Sequence, residues 1–215
     1  VWGDNMNLQE KVKEILKRLI KEYPEPRTAL NYGDPFELLV ATILSAQTTD
    51  AHVNKVTEIL FRKYKSVKDY SNVPIEKLQK DLSSINFYRT KGKNIHEAAK
   101  MIVEKFNSKV PKTMEELITL PGVARKTANI LLSSAYGIHE GIAVDTHVKR
   151  LAFRLGLTKN EDAGKIEKDL MAITPKEERG NLSNLLIFHG RKICQAKKPD
   201  HKECVLYDIC PSRNI

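Results

Sequence analysis

The sequence predicts an all-α protein on three observations. Apolar residues recur at helical spacing along most of the chain, start and stop signals bracket those runs, and no stretch shows the alternation of a half-buried strand. Asn7 with Glu10 has the form of a capping box, and Leu8, Val12, Ile15, Leu16 and Leu19 then share one face until Pro24 and Pro26 stop the helix. Asp34-Pro35 joins an N-cap side chain to a proline at the first helical position. It opens a run over 36–44 that is apolar nearly all round, so this helix is expected to be central and buried. Helical patterns continue at about 50–64, 74–82, 91–107, 113–119, 125–136, 146–155, 162–172 and 178–192. Thr113 with Glu116 offers a second capping box, and Gly137 and Gly156 stand where left-handed C-caps are expected. Residues 1–5 precede the first Met, as a tag remnant or a non-standard start would, and are left out of this reading.

Composition narrows the partners. The 215 residues leave room for one domain or two small ones, and 36 Lys+Arg against 27 Asp+Glu give a net charge of +9. Such an excess favours a polyanion, normally nucleic acid, although a generally solvated lysine-rich surface has the same composition. No run approaches the ~20 apolar residues of a membrane span, and the N-terminus lacks the pattern of a secretory signal. A soluble protein of the cytoplasm, associated with the nucleoid, is the expectation. The three cysteines fall in the last 22 residues, in the run Cys194-x6-His201-x2-Cys204-x5-Cys210. Four metal-ligating side chains within 17 residues of a chain with no other thiol argue for a metal centre in a reducing compartment.

The stretch 120–129, LPGVARKTAN, reads as a short helix ending at Leu120, a Pro-Gly hairpin and a second helix starting near Ala124. Backbone N–H groups at that start lack intrahelical partners and can hold a phosphate oxygen, aided by the helix dipole and Arg125. An ordinary αα-corner with a Pro-Gly turn is the rival reading.

LPGVARKTAN, then Asp145 in the run AVDTH nineteen residues after Lys126, and finally the terminal ligand run, resemble the endonuclease III family of helix-hairpin-helix DNA glycosylases. The likeness covers the chain from about residue 8 and includes SAQTTD at 45–50 and FYRTK at 87–91. It implies excision of oxidised pyrimidines from duplex DNA followed by strand cleavage at the abasic site, by a monomer. It also implies a six-helix barrel over 28–138 containing the hairpin, and a four-helix cluster domain made of 1–27 and 139–215, with the active cleft between them.

Residue chemistry agrees with that activity. A lysine amine can form a Schiff base with C1′ only where a neutral fraction exists, and the helix dipole, Arg125 and partial burial would all disfavour charge on Lys126. Lys126 is therefore the expected nucleophile; a solvated helix lysine is the plain alternative. Asp145 precedes a new helical run, so it can cap that helix and also steady positive charge on the sugar or assist the amine. The helix after Lys126 carries the chain about 17 Å away at 1.5 Å per residue, and an extended 138–145 could return roughly 26 Å. Lys126 and Asp145 could thus meet.

A base in duplex must be extruded and its vacancy filled. By resemblance Gln47 fills it and Phe87 is the apolar wedge; on residue type alone Gln47 is a polar helix end and Phe87 a core aromatic. Gly122, Ala124 and Arg125 are expected on phosphate, as are Arg191, Lys197, Lys198 and Lys202 on a basic knuckle closed by the metal. Tyr88, Arg89, Lys91 and Lys93 are expected to add stacking and phosphate contacts, and Ser45 and Asp50 to shape the pocket or cap the next helix. Ala124 stands where many relatives have glycine.

The metal run departs from the family's four cysteines in having His201 at the second position. Three readings follow in order: a [4Fe-4S] cluster held by Cys194, His201, Cys204 and Cys210; a three-cysteine cluster; and a Cys3His zinc site. For function the alternatives are a mismatch-specific adenine or thymine glycosylase and a non-catalytic, metal-stabilised DNA-binding module. Lys126 argues against a glycosylase that activates water alone, which needs no amine there.

Overall fold

A computed structural model describes residues 6–213, so the reading of residues 1–5 lies outside the described part. Every regular element among the described residues is helical, as the periodicity requires. Two compact units emerge, one made of Thr28–Ile138 and the other of the segments Val1–Arg27 and His139–Ile215. Each has its own apolar core.

Thr28–Ile138 carries seven helices: α2 (Pro35–Ser45), α3 (Asp50–Lys63), α4 (Val67–Asn72), α5 (Ile75–Asp81), α6 (Tyr88–Lys105), α7 (Met114–Leu117) and α8 (Arg125–Tyr136). Asp34 caps α2 by accepting from the Glu37 amide at 2.9 Å, and Pro35 fills the first turn. Its residues from Phe36 to Leu44 are buried except Glu37, so α2 is the central element expected from its all-round apolarity, with α3, α6 and α8 packed about it. Gly137 ends α8 at φ 65, the left-handed C-cap read from its position. Thr113 accepts from the Glu116 amide, but Glu116 reaches the Thr113 hydroxyl and not its backbone, so only half of that capping box forms.

Two differences from the sequence reading concern this unit. The helix α4 was not expected: its six residues give too short a pattern, yet Ser66 and Asp69 form a full capping box and Tyr70 is fully buried against Phe36 and Tyr64. The helix α6 begins at Tyr88, three residues before the expected start, so Tyr88, Arg89 and Thr90 are helical.

The second unit holds α1 (Leu8–Glu22), α9 (Thr146–Arg154), α10 (Ala163–Ile173) and α11 (Arg179–Lys192). Asn7 and Glu10 make the reciprocal capping box, and Val12, Ile15, Leu16 and Leu19 face α10 and α11. Each fully buried leucine of this kind stabilises the fold by about 1.5–3 kcal/mol relative to an exposed one. The chain then runs through 193–213 as turns and one 3-10 segment, Tyr207–Ile209, anchored by buried Leu206 and Ile209. No helix among the described residues is long and apolar enough to cross a membrane.

Candidate active site and nucleic-acid surface

The hairpin between α7 and α8 is set by its glycine. Val123 donates to the Leu120 carbonyl at 3.1 Å, Gly122 takes φ 79, and a Cβ there would lie 2.9 Å from the Asn94 side chain. No other residue fits without displacing Asn94. Ala124 is the N-cap of α8 at φ −90 and ψ 168, an extended conformation that does not need glycine, so the departure from the family pattern costs nothing in the backbone. It has no side-chain oxygen, and the first turn of α8 receives no side-chain cap, whereas Asp34, Thr49 and Asp145 supply one to their helices. Buried Leu120 and Val123 hold the hairpin from below, and Ala128, Leu131 and Leu132 hold α8. Arg125 and Lys126 are exposed on that first turn. The partial burial expected of Lys126 is thus not found; its environment is the open, positive end of a helix.

Asp145 belongs to the other unit, where it is half-buried and caps α9. Its Oδ1 accepts from the amides of His147 and Val148, both at 2.8 Å, which fixes the carboxylate in one orientation.

Gln47 and Phe87 share the unit of Lys126. Both are exposed, and both sit in the left-handed region, Gln47 at φ 55 and Phe87 at φ 58. Phe87 is 64% exposed, which overturns its reading as a core aromatic. Thr49, not Asp50, caps α3, and Ser45 donates to the Thr42 carbonyl at 2.9 Å. Lys91 is no surface phosphate contact: it is 6% exposed and its ammonium is spent on acceptors within the unit.

Cys194, His201, Cys204 and Cys210 line one recess, together with Arg154, Asp200 and Tyr207. The thiols of Cys204 and Cys210 are pushed up by burial and by the neighbouring sulfurs, the electrostatic situation that a cationic iron core relieves. Three thiols and an imidazole around one recess are a soft-to-borderline donor set, the kind that iron–sulfur groups and zinc both take.

Residues that sequence reasoning missed hold this loop. Arg150 donates to the carbonyls of Gly190 and Cys194, at 2.8 and 3.0 Å. Arg154 donates to the carbonyls of Gln195 and Ala196, at 2.8 and 2.9 Å, and to Cys194 Sγ at 3.2 Å. His189, 2% exposed, lies 3.4 Å from Cys204 Sγ through Nε2 and 3.3 Å from the Tyr23 hydroxyl through Nδ1. Burial pushes its pKa down to about 4. A neutral ring that accepts from Tyr23 is left with Nε2–H to donate to the sulfur. Arg150 and Arg154 are four apart on α9, which was the available signal, but nothing local named their targets. Arg191, Lys197, Lys198 and Lys202 are exposed around the loop.

Comparison with known proteins then decides the family. Residues 40–176 match the model of the HhH-GPD superfamily base excision DNA repair protein. Endonuclease III of Synechocystis sp. is 50% identical over 204 residues, spanning 95% of this chain and 93% of that protein. The chain belongs to the endonuclease III family. The Bacillus subtilis enzyme is 46% identical over 95% of this chain and 93% of its own length. A solved structure of a trapped endonuclease III–DNA covalent intermediate superposes with a TM-score of 0.90 at 43% identity, covering 97% of this chain and 98% of that one. A thermostable thymine-DNA glycosylase shares the fold, with a TM-score of 0.85 at 23% identity over 95% of this chain and 97% of the other. The chain is thus a bifunctional DNA glycosylase/AP lyase of base excision repair. Members of the family generally carry a [4Fe-4S] cluster.

Proposed function

We propose that Lys126 is the nucleophile, that Asp145 is the carboxylate assisting it, and that the substrates are oxidised pyrimidines in duplex DNA. The observation that carries this reading is the pairing of an exposed lysine with an uncapped, positive helix start directly after a glycine-locked hairpin. The hairpin and α8 start bind phosphate through backbone N–H groups and Arg125, and Gln47 and Phe87 enter the stack when the damaged nucleotide leaves it. The Lys126 amine, in its neutral form, attacks C1′; the N-glycosidic bond breaks and the base departs with its electron pair. The amine then loses a proton, and the sugar ring opens as the C1′–O4′ bond breaks and O4′ takes a proton, which gives the Schiff base. Removal of a C2′ proton then expels the 3′ phosphate by β-elimination, and water releases the enzyme. Asp145, with Oδ1 committed to capping, offers Oδ2 to the developing positive charge.

Cys194, His201, Cys204 and Cys210 are the residues we assign to the cluster. When bound, the group supplies a structural and electrostatic anchor, while Arg191, Lys197, Lys198 and Lys202 contact phosphate without reading sequence. The protein is expected to act as a monomer.

Borohydride reduction with DNA containing an abasic site tests the chemistry. Wild type is expected to give a covalent adduct, and Lys126→Ala to bind the same DNA without one. Asp145→Asn should keep DNA affinity and lose turnover by about 10²–10³-fold, the range for removing one transition-state charge partner. An adduct that survives in Lys126→Ala, or full turnover in Asp145→Asn, contradicts the assignment.

A further inference from the structure

The most unusual polar group in the unit Thr28–Ile138 is the ammonium of Lys91. It lies near the start of α6, almost wholly buried, and its Nζ is 2.8 Å from the Leu44 carbonyl, 2.6 Å from the Ala46 carbonyl and 3.3 Å from Thr48 Oγ1. Three N–H donors meet three acceptors, which is what a buried ammonium requires. Burial pushes its pKa down, so the charge is held here against its own desolvation.

The acceptors explain why it is held. They belong to the end of α2 and the turn after it, where helix carbonyls have no intrahelical partners and the dipole is negative. That end has no left-handed glycine cap: Ala46 leaves the helix at φ −58 and ψ 115. Lys91 replaces the cap from a different helix. Its two turn contacts, Ala46 and Thr48, are the residues on either side of Gln47.

Gln47 itself is left-handed, a conformation that persists in a non-glycine residue only where surroundings over-determine it. Its carbonyl accepts from Asn86 Nδ2 at 2.7 Å. Asn86 immediately precedes Phe87, the second exposed left-handed residue, which is the N-cap of the helix that carries Lys91. The loop of Gln47 and the loop of Phe87 are therefore joined through Asn86 and through Lys91, and His52 Nε2, in the first turn of α3, lies 3.0 Å from the Ser84 carbonyl beside them.

We propose that Lys91 and Asn86 are positioning residues that lock the Gln47 and Phe87 loops into one unit before DNA arrives, so that both side chains enter the stack at a fixed spacing. The inference rests on the wedge roles given above to Gln47 and Phe87. Its physical content is preorganisation: loops already ordered lose less freedom when they insert.

The test uses full-length protein and two probes. One is duplex DNA with a damaged pyrimidine and a neighbouring 2-aminopurine, whose fluorescence follows unstacking; the other is a single-stranded abasic oligonucleotide, which has no vacancy to fill. Lys91→Met and Asn86→Ala should each slow single-turnover excision and the fluorescence rise on the duplex by about tenfold, the loss expected for a charge-assisted or well-placed hydrogen bond. Schiff-base trapping on the single strand should stay within about twofold, because no insertion step remains. The double variant Asn86→Ala/Gln47→Ala should be slower than Gln47→Ala by less than the factor that Asn86→Ala costs in the wild type, since part of what Asn86 does is to place the Gln47 side chain. Equal losses on both probes, or losses that multiply in the double variant, would overturn the proposal while leaving the wedge reading intact. Gln47→Ala and Phe87→Ala that leave the duplex signals unchanged would sink the wedge reading, and the proposal with it. Should Lys91→Met fail to fold by circular dichroism, Asn86→Ala, at an exposed position, decides by the same criteria.

Discussion

The turn at 45–49 and the loop at 194–210 are both shaped by a cation reaching from another helix to loop carbonyls. Lys91 holds the first, and Arg150 and Arg154 hold the second. They differ in what completes them. The Lys91 clamp is buried and its donors are matched within the protein, so that turn is finished by the fold alone. Arg150 and Arg154 pin 194–196, Arg18 donates to the Val205 carbonyl and pairs with Asp208, and between these anchors Cys194, His201, Cys204 and Cys210 line one recess. One turn is closed wholly by groups of its own unit, and the other carries the ligand run that we assign to the cluster.

Removing the proposed cluster should loosen the second loop and spare the first. In Cys204→Ala, iron and sulfide content should fall, and trypsin should cleave at Lys197 and Lys202 at least about tenfold faster, as local unfolding predicts. Cleavage at Lys91 should not rise; equal acceleration at both would erase the distinction. A smaller effect is expected from Arg154→Ala, which removes bonds to Gln195, Ala196 and Cys194 Sγ and should cost about 1.5–3 kcal/mol of loop stability. Calorimetry and the rate of iron release would measure it.

The hairpin at 120–124 supplies a third case, shaped by backbone and not by a cation. Gly122→Ala at φ 79, against Asn94, should destabilise its unit by about 1–3 kcal/mol in a denaturant melt. Ala124→Gly, at an extended position, should change the midpoint by only a few tenths of a kcal/mol. The least effect on the fold is expected from Lys197→Ala and Lys198→Ala. Each should leave the thermal midpoint in place and reduce the slope of log affinity against log salt by about 1.

Much of this was legible in sequence because the signals are local. A capping box at Asn7, an Asp-Pro helix start at 34–35 and a glycine C-cap at 137 make their bonds within about five residues of themselves. The hairpin was readable for the same reason. What escaped depends on partners far along the chain. Lys91, between a threonine and a glycine in a helix rich in lysine, has the look of a solvated residue, and its carbonyl partners lie 45 and 47 positions away. The burial of Tyr70 in a six-residue helix, and the exposure of Phe87 at a left-handed cap, likewise follow from tertiary packing and not from period. His189 reads as one more residue of an amphipathic helix until Tyr23 and Cys204 are seen on either side of it.

The central claim concerns one nitrogen, and mass spectrometry reads it directly. Wild-type protein reduced with borohydride on abasic DNA, digested with nuclease and protease, is expected to carry the sugar remnant on the peptide containing Lys126. A remnant found on any other lysine, or on the terminal amine, would contradict the account.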